Sequence, residues 1–185
     1  MSILRWKVVM VGDATVGKSA LLNQLVNQSF NSAYTMTQAC DYKIKEFDIP
    51  ETKTTVELHI LDVAGQKIYN NIAIELIKDT SHVVLIYDMT NPDTFNTLQS
   101  WYDGIKEKNE GKEIKGWLIG NKSDLESRIK IGTDDGLALA NELGLQFAEV
   151  SAMKYEEVEA PFSEMSKEFY RSYESRVKKL TSGKE

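Results

Sequence analysis

One eight-residue stretch constrains this chain of 185 residues more than any other. "GDATVGKS" (residues 12–19) follows the short apolar run "KVVMVG" and opens the helical sequence "KSALLNQLVNQ". Free backbone N–H groups at such a turn and at a helix N-terminus form a cradle for anions, and glycines let the backbone approach a phosphate closely. We therefore expect a nucleotide phosphate site, with Lys18 reaching the outer phosphates and the Ser19 hydroxyl binding Mg²⁺. The residues expected to form it are Asp13, Ala14, Thr15, Val16, Gly17, Lys18, Ser19 and Ala20.

Strands and helices alternate along the rest of the sequence. The predicted strands are "KVVMVG", "DYKIKEFDI", "TVELHILD", "HVVLIYDM", "GWLIGN" and "QFAEV". The second and third flank Pro50-Glu51-Thr52-Lys53 and should form an antiparallel hairpin. "NPDTFNTLQSWYDGIKEK" should be a helix that opens with Asn91 as N-cap and Pro92 at its first position. The order predicts an α/β fold in one domain (1–185): a mixed six-stranded, mainly parallel sheet with helices on both faces.

A second motif, "LDVAGQK", follows the hairpin. Asp62 ends a strand, where a carboxylate is well placed to act near Mg²⁺, and Gly65 offers a backbone N–H to a terminal phosphate. Gln66 is a neutral amide able to orient a water molecule. These residues alone do not decide whether the nucleotide is ATP or GTP. They also leave open whether the protein is a kinase, an ATPase or a switch.

"GNKSDL" and "EVSAMK" point to the base that the nucleotide carries. A carboxylate such as Asp124 pairs with the N1–H and exocyclic amine of guanine, whereas adenine has no such pair of donors there. Asn121 and Lys122 precede it at the end of a predicted strand. Ser151 and the backbone N–H groups near Ala152 are expected to hold the guanine carbonyl oxygen.

Composition narrows the class of protein. The net charge of −6 and only four arginines argue against a nucleic-acid binder. A single cysteine, Cys40, excludes an intramolecular disulfide and favours a reducing, cytoplasmic compartment. Ser2 and the final Gly-Lys-Glu lack the signals for lipid attachment, so no direct lipid anchor is expected.

The last helix is predicted over about residues 161–180. Its apolar residues recur every three or four positions, the pattern of an amphipathic helix: Phe162, Met165, Phe169, Tyr173, Val177 and Leu180. Such a helix is about 30 Å long, whereas a usual strand spans about 17–20 Å. We therefore expect its outer half to extend beyond the sheet.

Together these motifs give the chain a resemblance to small GTPases of the Ras superfamily, nearest the Rab branch, over its whole length. "FNSAYTMT" is similar to the first switch of that family, which implies that Phe30 packs on the base, Tyr34 closes over the phosphates and Thr37 binds Mg²⁺. The resemblance also implies a P-loop small GTPase fold, GTP or GDP and Mg²⁺ as ligands, and GTP hydrolysis with Gln66 and Lys18 as catalytic residues. Effectors and an activating protein would bind the switch segments 30–41 and 63–75.

A more specific resemblance rests on "EAPF" with its Phe- and Tyr-rich helix, on "TVELHILD" and on "YTMT". These are similar to the Rab-like subunits of the intraflagellar transport B complex, which implies a role in the cilium or flagellum. Those subunits pair with a small β-sandwich protein. The surface expected to bind it here is the helix stripe Phe169, Tyr173, Val177 and Leu180.

Departures from the family pattern shape the expected chemistry. Ala14, Lys67 and Met153 replace residues common in Rabs, and Ala14 crowds the hydrolysis site. No arginine lies between Gln28 and Lys78, so we expect slow intrinsic hydrolysis. The alternatives are a conventional vesicle-trafficking Rab and a structural adaptor that binds nucleotide without switching. A P-loop kinase or ATPase is disfavoured by the base motif.

Overall fold

The computed structural model describes residues 2–31, 36–37, 39–65 and 76–182. Its strands are β1 Ser2–Val11, β2 Cys40–Asp48, β3 Thr54–Val63, β4 His82–Asp88, β5 Lys115–Asn121 and β6 Gln146–Val150. Its helices are α1 Lys18–Asn27, α2 Pro92–Asn96, α3 Leu98–Lys108, α4 Thr133–Leu143 and α5 Ala160–Ser182, with a 3₁₀ turn at Glu126–Arg128.

The six strands form one sheet in the order β2-β3-β1-β4-β5-β6. The β2–β3 pair is antiparallel and the other four neighbouring pairs are parallel, which confirms the predicted mixed, mainly parallel sheet. Asp88 is in register with Asn121, and Asn121 with Val150. Because parallel strands end at a common edge, polar side chains from several strand ends meet there, where ligands of such sheets usually bind.

Successive apolar side chains of the central strands point to opposite faces of the sheet, so both faces are covered by apolar residues. One layer joins β1 and β4 to α1 and α5; its fully buried members include Val8, Met10, Val84, Leu21, Leu25, Phe162 and Met165. The other joins them to α3 and α4 through Val9, Val11, Leu85, Leu98, Ile105, Ala140 and Leu143. A strand buried on both faces reads as a continuous apolar run, as "VVMV" (residues 8–11) does.

The terminal helix has 23 residues and is about 34 Å long at about 1.5 Å per residue. Its buried side chains are confined to its first turns, at Pro161, Phe162, Met165 and Ser166. Farther out, Tyr173, Val177 and Leu180 are exposed by 45%, 38% and 73%. The outer half of this helix is therefore exposed, as the predicted overhang requires.

Phe169 marks the inner limit of that overhang. Its ring stacks on Trp6 with the centroids 4.3 Å apart and the planes 13° from parallel. Trp6 also contacts His82 edge to face. Phe169 thus packs on its own sheet, unlike the three exposed members of the stripe.

One predicted helix is interrupted. Asn91 accepts a hydrogen bond from the Asp93 N–H and Pro92 takes the first position, as predicted. The helix, however, divides into α2 and α3 at Thr97, which keeps a right-handed helical conformation. Among the residues that the structure describes, no helix combines the length and apolar character needed to cross a membrane.

Candidate nucleotide-binding site

A cavity of about 570 Å³ opens at the carboxyl edge of the sheet. Many of the predicted site residues line it: Ala14, Thr15, Gly17, Lys18, Ser19, Ala20, Phe30, Thr37, Gly65, Asn121, Lys122, Asp124, Ala152 and Met153. Tyr34 and Gln66, to which the sequence assigned roles, lie outside the described residues, as does Lys67. The phosphate-loop, switch and base motifs therefore meet in one cavity, although they are far apart in sequence.

The phosphate loop connects β1 to α1 by a tight turn. Gly17 precedes the helix with φ 99°, a left-handed conformation that other residues rarely adopt. Thr15 is also left-handed, with φ 65°, which is unusual for a β-branched residue. Gly65 approaches this loop so closely that a β-carbon there would lie 2.4 Å from the Gly12 carbonyl oxygen. The backbone of Gly65 thus lies directly against the phosphate loop.

Lys18 is buried within that loop. Its ammonium group donates hydrogen bonds to the carbonyl oxygens of Gly12 and Asp13, both at 2.8 Å. Burial lowers its pKa, while the negative charges of Asp62 and Asp13 act in the opposite direction. A buried ammonium beside a row of loop N–H groups is suited to binding the oxygens of an outer phosphate.

Three side-chain oxygens fit a Mg²⁺ ion. The Ser19 hydroxyl donates to one carboxylate oxygen of Asp62 and lies 2.9 Å from the Thr37 hydroxyl. Asp62 is fully buried, and burial raises its pKa although Ser19 and Lys18 oppose the shift. Its other oxygen has no hydrogen-bond partner among the described residues. Because a buried carboxylate oxygen without a partner is costly, and Mg²⁺ prefers oxygen ligands, the donor set suits this ion.

Asn121 connects the base end of the cavity to the phosphate loop. Its amide donates to the Val16 carbonyl oxygen at 2.8 Å and accepts from the Ala152 N–H at 3.2 Å. Its side chain is almost fully buried. Asn121 therefore holds three loops together, because both polar atoms of its side chain form hydrogen bonds within the protein.

Lys122 makes a second link between the two ends. Its ammonium group donates to the Thr15 carbonyl at 3.0 Å and to the Asp88 carboxylate at 2.6 Å. Burial alone would raise the pKa of Asp88, but the hydrogen bonds from Lys122 and Thr90 lower it overall. Asp88 was not among the residues predicted from the sequence, although its position at the end of a buried strand could have indicated a site residue.

Ser151 acts on the carboxylate of the base motif. Its buried hydroxyl donates to Asp124 at 2.7 Å and accepts from the Lys154 N–H at 2.9 Å. The predicted contact between Ser151 and the guanine carbonyl oxygen stays a prediction. In the structure this hydroxyl orients Asp124, whose remaining acceptor positions are suited to the two donors of a guanine edge.

Two side chains flank the base end from the outside. Phe30 is 39% exposed and Met153 is 61% exposed, and both line the cavity. An exposed aromatic ring and an exposed thioether are suited to packing on a flat base.

Asp13, by contrast, points away from the cavity, because its carboxylate accepts hydrogen bonds from Thr97 and Trp101. No sequence pattern identified Thr97 and Trp101 as partners of Asp13.

The sequence profile of the Ras family matches residues 7–171. An intraflagellar transport protein 27 homolog of Homo sapiens is 32% identical over 173 residues, which cover 92% of this chain and 93% of that protein. A homolog of the same name in Trypanosoma brucei brucei is 32% identical over 180 residues, covering 96% and 97%. Ras-related protein Rab-13 of Canis lupus familiaris is 32% identical over 163 residues, covering 88% and 79%.

Proposed function

The chain belongs to the Ras family of small GTPases, and we propose that it is a Mg²⁺-dependent, Rab-like switch that hydrolyses GTP slowly within the intraflagellar transport B complex. The observation that carries the proposal is one cavity containing both a phosphate loop and an Asp124 carboxylate oriented by Ser151. Guanine offers two adjacent donors to such a carboxylate. The ligands are therefore GTP and GDP.

The proposed chemistry is charge stabilisation around the terminal phosphate. Lys18 and the loop N–H groups are proposed to bind phosphate oxygens, and Gly65 to add a backbone N–H. Ser19, Thr37 and Asp62 would hold Mg²⁺, which would supply positive charge for the transition state. Gln66 would orient the attacking water, a role taken from the family resemblance.

Slow hydrolysis is proposed because the switch segments supply no arginine to the transition state. Neither switch segment contains an arginine, and an arginine at the transition state is worth about 10³–10⁵ in rate. A single-turnover assay on GTP-loaded protein should give a rate below about 10⁻² s⁻¹, the value typical of a built-in arginine. A rate at or above that value would contradict the proposal.

We propose that the protein acts in the cilium or flagellum, in a complex with a small β-sandwich subunit. Two observations support it. The likeness to intraflagellar transport protein 27 homologs extends over nearly the full length of both chains. The outer half of α5 also exposes Tyr173, Val177 and Leu180 on one face, which is a suitable apolar surface for a permanent partner. Effectors and an activating protein are proposed to bind the switch segments.

Charge substitutions on α5 test the partner surface. Val177→Glu and Leu180→Glu should each abolish co-purification of the β-sandwich subunit, because they bury a charge in an apolar interface. Ser175→Glu is a matched control, since Ser175 is exposed and about 160° around the helix from Val177. Retained binding in the first two variants, with GDP binding normal in all three, would contradict the proposed surface.

A further inference from the structure

The second residue of the phosphate loop is anchored to a distant helix. One carboxylate oxygen of Asp13 accepts a hydrogen bond from the Trp101 indole N–H at 2.9 Å, and the other accepts from the Thr97 hydroxyl at 2.9 Å. The two donors are four residues apart, so they lie on the same side of the α2–α3 helical segment. Both oxygens of one carboxylate are thus bound by one helix.

The chemistry of this contact makes it strong. Hydrogen bonds to an ionised carboxylate are about twice as strong as those between neutral groups. Asp13 also lies beside the first residues of α3, where the helix dipole favours a negative charge. All three side chains are partly buried, which reduces competition from water.

The backbone of Asp13 is where the phosphate loop meets its neighbours. Its carbonyl oxygen accepts from the Lys18 ammonium group at 2.8 Å. A β-carbon on Gly65 would lie 2.4 Å from the Asp13 carbonyl carbon and 2.5 Å from the Ala14 nitrogen. Fixing the Asp13 side chain therefore fixes the peptide that both Lys18 and Gly65 contact.

We propose that Thr97 and Trp101 are positioning residues for the nucleotide site, which act through the Asp13 carboxylate to hold the Asp13–Ala14 peptide in its binding conformation. The inference rests on the proposed nucleotide-binding function. Without the anchor, the loop samples conformations whose N–H groups no longer converge on phosphate. Bound GDP then dissociates faster.

The chain offers a matched control for the loss of an indole N–H. Trp117 lies in β5, away from the cavity, and its N–H has no hydrogen-bond partner among the described residues. Trp101→Phe and Trp117→Phe therefore make the same chemical change, but only the first removes a hydrogen bond found in the structure. Any general effect of replacing tryptophan by phenylalanine appears in both variants.

The test measures dissociation of a fluorescent GDP analogue in Mg²⁺ from the full chain, with thermal unfolding of each variant recorded in parallel. Trp101→Phe and Thr97→Val should each raise the dissociation rate about tenfold, the effect of losing one charge-assisted bond. Trp117→Phe should stay within about twofold of the parent. Adding Trp101→Phe to Asp13→Ala should have no further effect on the rate, because the acceptor is already gone.

Asp13→Asn provides a rescue that a purely structural role would not predict. Its amide oxygen can still accept from the indole while its NH₂ group donates to the Thr97 hydroxyl, so its rate should lie between those of the parent and Asp13→Ala. Equal rates for Trp101→Phe and Trp117→Phe, additive effects of Asp13→Ala and Trp101→Phe, or a lower unfolding temperature with an unchanged rate would each overturn the inference alone. A parent that binds no guanine nucleotide would contradict the proposed function and this inference together.

Discussion

The side-chain amide of Asn121 lies directly against Gly17. A β-carbon on Gly17 would be 2.3 Å from the Asn121 amide nitrogen, which itself donates to the Val16 carbonyl at 2.8 Å. The base motif and the phosphate loop therefore pack as one unit. A change at either end of the cavity should affect binding at the other.

Gly17→Ala should lower GDP affinity at least tenfold. The new methyl group displaces Asn121, and the left-handed backbone at Gly17 adds about 1–2 kcal/mol of strain for any residue with a β-carbon. Gly104→Ala is the matched control, because Gly104 lies within α3 and a β-carbon added there would meet no neighbouring atom within 4 Å. Titration with a fluorescent GDP analogue measures both, and equal affinities in the two variants would contradict the proposed packing role.

Asp124→Asn should weaken GDP binding by about 30–150-fold, since an amide cannot accept from both guanine donors and one donor is left unpaired, at about 2–3 kcal/mol. The same variant should gain affinity for xanthosine diphosphate, whose ring presents one donor and one acceptor at this edge. Ser151→Ala should weaken GDP binding by a smaller factor, because Asp124 loses its orienting hydrogen bond. Competition titrations compare the nucleotides, and unchanged base preference in Asp124→Asn would refute the assignment.

Chelation of Mg²⁺ should raise the GDP dissociation rate at least about tenfold in the parent, because the positive charge that Ser19, Thr37 and Asp62 would hold beside the phosphates is then lost. Ser19→Ala should lose most of that response, since it removes one donor and the bond that holds Asp62. Ser127→Ala removes an exposed hydroxyl from the 3₁₀ turn and should respond like the parent. A full Mg²⁺ response in Ser19→Ala would argue against this ion site.

His82 should make the fold less stable in mild acid. Burial, with a smaller contribution from Lys115, lowers the pKa of His82 from 6.5 to about 3. Between those values the unfolded chain binds a proton that the folded chain does not, so the stability present above pH 6.5 is lost as pH falls toward 3. The loss is of order 1 kcal/mol per pH unit.

His82→Phe removes this titration and keeps a ring against Trp6. Urea unfolding at about pH 7, 6 and 5 should give the variant a flatter dependence of unfolding free energy on pH than the parent. Carboxylates titrate in both proteins, so the difference between the two curves isolates His82. Parallel curves would show that His82 does not titrate on unfolding in this range.

Features of local origin were predictable from the sequence. The phosphate loop, the hairpin and the base motif each depend on consecutive residues, and the overhang of α5 follows from helix length compared with strand length. Gly144 ends α4 with φ 70°, the left-handed conformation typical of a glycine at a helix C-terminus.

Features that depend on tertiary packing were not predictable in the same way. The Trp101–Asp13 bond joins residues 88 positions apart, and Lys122 reaches Asp88 across 34 positions. Neither pair leaves a periodic pattern, because each depends on how a helix or loop docks on the sheet. Ser151 was identified as a site residue, but its action on Asp124 depends on how two separate loops are placed in the fold.

The central claim is that this cavity selects guanine nucleotides through Asp124. The most direct measurement is displacement of a fluorescent GDP analogue from the Mg²⁺-bound protein by GTP, GDP, ATP and ADP in turn. Since a site built for two base donors leaves its carboxylate unpaired with adenine, GTP and GDP should displace the analogue at concentrations about 10³-fold lower than ATP and ADP. Displacement by ATP within tenfold of the GTP concentration would contradict the account.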